Sequence, residues 1–188
     1  MRKLIKSFAA SISKVNKYNQ EQEEQVEYAL RVIVFEALKI IGTIIVFIVL
    51  GKPVYAVTAL AVMVVTKPFI GGYHEDSQIK CFTATLIFVG CIIYLSININ
   101  LDLFSKLILN GIALYCIWHQ APVVNPVMPI TRPELIKRNR ITGIILCIIM
   151  VLISLIFNKS QLISNTIAWT MVFQGLLMFN KRKVINSQ

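Results

Sequence analysis

The chain has 188 residues, 56% of them hydrophobic and only 15% charged. Soluble domains carry roughly 45–50% apolar and about 25% charged residues, so this composition excludes a water-soluble globule and puts the excess apolar surface against lipid. The net charge of +10 therefore reads first as membrane orientation and attraction to anionic lipid, with no nucleic-acid partner called for.

Residues 1–28 read as an amphipathic N-terminal helix in the membrane interface. Leu4, Phe8, Ile12 and Val15 recur at helical spacing among Lys3, Lys6, Lys14 and Lys17, the pattern of a helix lying on lipid. The same lysines break any signal-peptide core, so the segment is expected to be retained. A solvated Gln/Glu-rich patch, Gln20 to Gln25, closes it.

Residues 29–188 read as a second, all-α membrane domain of six hydrophobic segments, because a chain in lipid must satisfy its own backbone. The segments are residues 29–50, 54–66, 81–99, 103–119, 141–157 and 162–179. The second is short: 13 residues at ~1.5 Å each cover ~20 Å of a ~30 Å hydrocarbon core. Charges inside a span face a partner or a cavity. The first segment holds three, Arg31, Glu36 and Lys39. Glu36 and Lys39, three apart, are expected to pair, on a face that lines a substrate cavity or another helix.

The cations set the orientation. If all six segments cross, one side holds Arg2, Lys3, Lys6, Lys14, Lys17, Lys67, Lys80, Arg132, Lys137, Arg138, Arg140, Lys181, Arg182 and Lys183. The other side holds only Lys52, Lys106 and Lys159. The positive-inside rule makes the richer side, with the N-terminus, cytoplasmic.

That leaves one polar stretch between apolar runs at the cytoplasmic face, residues 67–81: Lys-Pro-Phe-Ile-Gly-Gly-Tyr-His-Glu-Asp-Ser-Gln-Ile-Lys-Cys. Of the four cysteines, Cys91, Cys116 and Cys147 sit in apolar runs and read as packing residues. Cys81 follows polar residues. Asp76 or Ser77 is a candidate N-cap that sets Cys81 in the first turn of the third segment, where the helix dipole favours a thiolate. Lys80 is an adjacent cation, and His74 or His119 is a base to take the thiol proton. Along one continuous helix His74 and Cys81 would stand roughly 10 Å apart, so a His74–Cys81 pair requires a bend, and Gly71-Gly72 with residues 75–77 allows a re-entrant or looped segment. No metal site is expected: the spacing after His74-Glu75 holds no second histidine, and no cysteine pair has ligand spacing.

Gly71-Gly72-Tyr73-His74 followed seven residues later by Cys81 resembles the signature of the accessory gene regulator B (AgrB) family of bacterial membrane peptidases. The resemblance covers the chain: the amphipathic N-terminus, six segments, Ala121-Pro122, Asn125-Pro126 and the basic stretch through Arg140. It implies a cofactor-free cysteine endopeptidase of the bacterial cell membrane, with Cys81 as nucleophile and His74, in preference to His119, as base. Gly71, Gly72, Asp76 and Ser77 are candidate supporting or oxyanion groups. The implied substrate is a quorum-sensing (AgrD-type) propeptide with an amphipathic leader and an acidic tail, released as a thiolactone or lactone ring. The candidate substrate contacts are Lys67, Lys80, Glu36, Lys39, Arg132, Lys137, Arg138 and Arg140. The resemblance further implies a homodimer. Lys67 stands where the family often has arginine, keeping the charge but lacking the planar fork. The alternatives are a small transporter or channel and a non-catalytic assembly partner. The first predicts broken helices repeated in two halves; the second leaves the His–Cys stretch without a role.

Overall fold

The computed structural model describes residues 2–72, 77–123 and 132–179. These are helical: α1 (Arg2–Asn16), α2 (Gln20–Val49), α3 (Pro53–Ile70), α4 (Gln78–Asn98), α5 (Leu103–Gln120), α6 (Pro133–Ile156) and α7 (Gln161–Leu177), with a 3₁₀ turn, Phe157–Lys159, leading into α7. Among the described residues four stretches are long and apolar enough to cross a membrane: α2, α3, α4, and α6 with its 3₁₀ extension. The described residues fall into two compact units, divided between Val46 and Phe47.

In the first unit, α1 ends at Lys17, whose φ is +54°. Asn19 then starts α2 through a reciprocal cap. Its Oδ1 accepts from Gln22 N–H at 2.8 Å, and Gln22 Oε1 accepts from Asn19 N–H at 3.0 Å, satisfying two donors that no helical carbonyl can reach. The Gln/Glu-rich patch is thus the first turns of α2. An apolar groove of about 440 Å³ is lined by Ile5, Phe8, Leu30 and Val34 with Ser7 and Ser11.

In the second unit α7 is the central helix and packs on α3, α4, α5 and α6. Ser164, Asn165, Thr166, Thr170 and Gln174 are buried along it. Protein rather than lipid covers this helix, so polar side chains are admissible wherever they find partners. Thr166 Oγ1 donates to Leu162 O and Thr170 Oγ1 to Thr166 O, both at 2.6 Å. Ser154 of α6 and Ser164 exchange hydroxyl-to-carbonyl bonds of 2.9 and 2.7 Å across the α6–α7 turn. Gly175 lets α5 approach: a Cβ there would lie 3.4 Å from Cys116 Cβ and 3.5 Å from Ala113 O. Lys106, counted with the outer side by the charge pattern, lies in the first turn of α5 and is fully buried, with Nζ donating to Asn158 Oδ1 at 2.7 Å.

One boundary is a correction. The second apolar segment was expected to run to about residue 66 and to be too short to reach the cytoplasmic surface. The helix continues through Lys67 and Pro68 to Ile70, 18 residues in all, or ~27 Å at ~1.5 Å each. Polarity ends the apolar run at Lys67, but the backbone remains free to stay helical. Pro68 is tolerated in the last turn, and Gly71 N–H closes the helix on Lys67 O at 2.9 Å.

Candidate active site

The site's described parts are the end of α3, the start of α4 and the extended residues after α5. Gly71 follows Ile70 with φ +76°, and Gly72 with φ +138°, backbone regions that glycine enters freely and L-residues avoid. Gly71 also pairs in parallel with Val123, where Val123 N–H donates to Ile70 O at 2.9 Å. A Cβ on Gly71 would fall 2.1 Å from Val123 O, so no side chain fits there. The Lys67 chain lies alongside: its Cε is 3.9 Å from the point a Cβ on Gly72 would occupy.

Behind this end of α3 stands α6. A Cβ on Gly143 would come within 2.7 Å of Ile70 Cγ2 and 3.2 Å of Phe69 Cβ. Glycine therefore lets α6 close on the turn that carries Gly71.

On the other side of the polar stretch, Ser77 is the N-cap of α4, with β-region dihedrals and a hydroxyl that makes no cap bond. Its carbonyl accepts from Cys81 N–H at 2.9 Å. Cys81 thus occupies the first turn, as expected, and is half-buried. Thr85 Oγ1 donates to Cys81 O at 2.9 Å. Lys80, beside it, is exposed. The N–H groups of Gln78, Ile79 and Lys80 precede the first intrahelical bond, so they have no acceptor within the helix. His74 and Asp76, the expected base and a candidate supporting group, lie outside the described residues.

The remaining candidates divide. Arg132, Lys137, Arg138 and Arg140 are exposed at the start of α6. Arg140 is partly committed: its Nη2 donates to Trp118 O at 3.2 Å, covering a carbonyl at the end of α5. Glu36 and Lys39 form a pair at 2.6 Å on α2, with the Lys39 side chain the more buried. Arg31 pairs with Glu27, a partner that the sequence reading did not name. All four belong to the first unit. His119, the rival base, is exposed at the end of α5 against Gln120 Nε2 and the Tyr115 ring. No group of three His, Cys, Asp or Glu among the described residues is placed to hold a metal.

The sequence reading missed Val123, Gly143 and the buried pair Thr66–Gln174, in which Gln174 Nε2 donates to Thr66 Oγ1 at 2.9 Å. The extended run after Ala121-Pro122 and a glutamine in an otherwise apolar segment were the available signals.

The model of the family described as accessory gene regulator B matches residues 5–178. The chain is 43% identical over 183 residues to the AgrB-like protein 1 of Clostridium perfringens (strain 13 / Type A), covering 97% of this chain and 98% of that protein. No solved structure matches.

Proposed function

This chain belongs to the accessory gene regulator B family, whose role is quorum-sensing peptide processing, and from that premise we propose that it is a membrane-embedded cysteine endopeptidase that cuts and cyclises a signal propeptide. One observation carries the reading: Cys81 stands half-buried in the first turn of an apolar helix. It stands nine residues after a Gly-Gly pair whose backbone no other residue adopts easily.

The chemistry proceeds in two exchanges. His74 takes the Cys81 Sγ proton. Sγ attacks the carbonyl carbon at the C-terminal end of the signal segment, that peptide C–N bond breaks, and His74 returns the proton to the departing amine of the acidic tail. The signal remains as a thioester on Cys81. A thiol or hydroxyl within the peptide then attacks this thioester, the Sγ–C bond breaks, and the peptide leaves as a thiolactone or lactone ring while Cys81 regains its proton. A thioester exchanged for a thiolactone is nearly balanced, so no nucleotide is required, and a site that excludes water favours closure over hydrolysis. The N–H groups of Gln78, Ile79 and Lys80, which have no acceptor within the helix, and that of Gly72 are the proposed oxyanion donors; the Gly71 N–H is committed to Lys67 O. Lys67, Lys80, Arg132, Lys137 and Arg138 are the proposed contacts for the acidic tail, and Arg140 contributes charge while holding the end of α5. In this reading the enzyme is a multi-pass homodimer of the bacterial cell membrane, active face to the cytoplasm, and takes its propeptide from the lipid surface.

Membranes carrying Cys81→Ala or His74→Ala are expected to insert the protein normally and to cleave a tagged propeptide with amphipathic leader and acidic tail at background level. Full cleavage by Cys81→Ala overturns the mechanism. Loss of cleavage in His119→Ala with retention in His74→Ala moves the base to His119.

A further inference from the structure

Near the end of α3, Thr66 is fully buried. Its hydroxyl accepts from Gln174 Nε2 at 2.9 Å and donates to Val62 O at 2.7 Å. Gln174 is itself only 5% exposed on α7, the central helix. The pair is neutral and links α3, which ends at Ile70, to α7, which packs on α4, α5 and α6 as well.

Apolar helix faces hold one another without strong directional preference, and a single buried polar contact is what selects one register over its neighbours. Thr66 is one residue before Lys67, whose carbonyl receives the Gly71 N–H. The position of Thr66 is therefore passed along one helical turn to the glycine pair. There the tolerance is small, because Gly71 already touches the Val123 carbonyl closely enough to exclude a methyl group, and Ile70 and Phe69 are held against Gly143. A polar group in hydrocarbon is otherwise a cost.

We propose that Gln174 is a positioning residue: through Thr66 it fixes the axial and rotational register of α3, and so places Lys67, Gly71 and Gly72 with respect to Cys81. This inference rests on the reading of Cys81 as nucleophile.

The test uses the full chain in liposomes and a synthetic propeptide with an amphipathic leader, a central cysteine and an acidic tail. Thr66→Val keeps the shape and removes the hydroxyl; Gln174→Leu removes the donor; Thr66→Ser restores the hydroxyl. The two disruptive variants are expected to lower kcat by ~10-fold or more, since misplacement of reacting groups by ~1 Å can cost ~100-fold, while KM stays within about 2-fold of wild type. Thr66→Ser keeps kcat near wild type. Thr66→Val combined with Gln174→Leu is no worse than either alone, because both cut the same link. The inference is overturned by wild-type kcat in both single variants, by a fall in Thr66→Ser equal to that in Thr66→Val, by full additivity, or by a loss of rate that matches a loss of folded protein on thermal melting. Cys81→Ala, assayed alongside, separates the two claims. Cleavage by Cys81→Ala removes the proposed mechanism. A dead Cys81→Ala with a fully active Gln174→Leu removes only the positioning role.

Discussion

At Gly71 two constraints coincide: φ is +76°, and the Val123 carbonyl oxygen occupies the space of a Cβ. A left-handed backbone alone costs an L-residue roughly 1–2 kcal/mol, and the 2.1 Å overlap with a backbone atom cannot be relieved by rotating a side chain. Gly71→Ala must therefore push residues 121–123 away from the end of α3. Cleavage is expected to fall at least ~10-fold with membrane insertion intact, as a displaced reacting geometry predicts. Gly111, helical and with nothing within 4 Å of its added Cβ, supplies the contrast: Gly111→Ala is expected to keep activity and to gain about 0.5–1 kcal/mol in stability. Thermal melting and the propeptide cleavage assay read both. Equal activity in Gly71→Ala and Gly111→Ala would contradict the account. The Gly-Gly pair was legible in the sequence as a place where the backbone turns. What was not legible is that Gly71 is required by a carbonyl 52 residues away in the chain, since close approach between segments leaves no local signature.

Among the elements, α5 shows how a cap ties a helix to pH. Asp102 precedes it with extended dihedrals, and its Oδ1 accepts from Ser105 N–H at 2.9 Å. The Ser105 hydroxyl and backbone N–H together hold the carboxyl below its ordinary value, and Lys106 adds to the effect. A carboxyl depressed on folding contributes stability that is complete above its unfolded value, about 3.9, and that is lost as pH falls through the lower folded value. Wild-type protein in detergent is thus expected to lose melting temperature below about pH 4 by more than Asp102→Asn, whose amide caps but does not titrate. Parallel curves for the two proteins between pH 3 and 6 would show that the cap is not coupled to folding. The Asp102 cap and the Pro53 and Pro133 starts of α3 and α6 follow rules readable from sequence. The end of α3 does not: the apolar run ends at Thr66, the helix four residues later at Ile70.

For the molecule as a whole, the apolar runs located the helices but not their roles. α7 was expected to be a span like the rest, yet its buried face carries Ser164, Asn165, Thr166, Thr170 and Gln174. A helix enclosed by four others is relieved of the need to be apolar, and composition alone cannot reveal that enclosure. The same reasoning bears on topology. Among the described residues four stretches meet the length and apolarity of a span. α5 and α7, with 18 and 17 residues, reach ~27 and ~25 Å, close to the ~30 Å core and within the mismatch a bilayer accommodates. We therefore predict six crossings, with Lys52, Asn100 and Lys159 outside and Lys137 and Cys81 inside. In intact cells a membrane-impermeant maleimide is expected to label Lys52→Cys, Asn100→Cys and Lys159→Cys at least ~10-fold faster than Lys137→Cys or the native Cys81. Permeabilising the cells should remove the difference for Lys137→Cys. The prediction follows from the distribution of cations, fourteen against three, which the positive-inside rule converts into an orientation. Labelling of Lys137→Cys in intact cells would place α6 the other way round, and with it the basic surface proposed to meet the acidic tail.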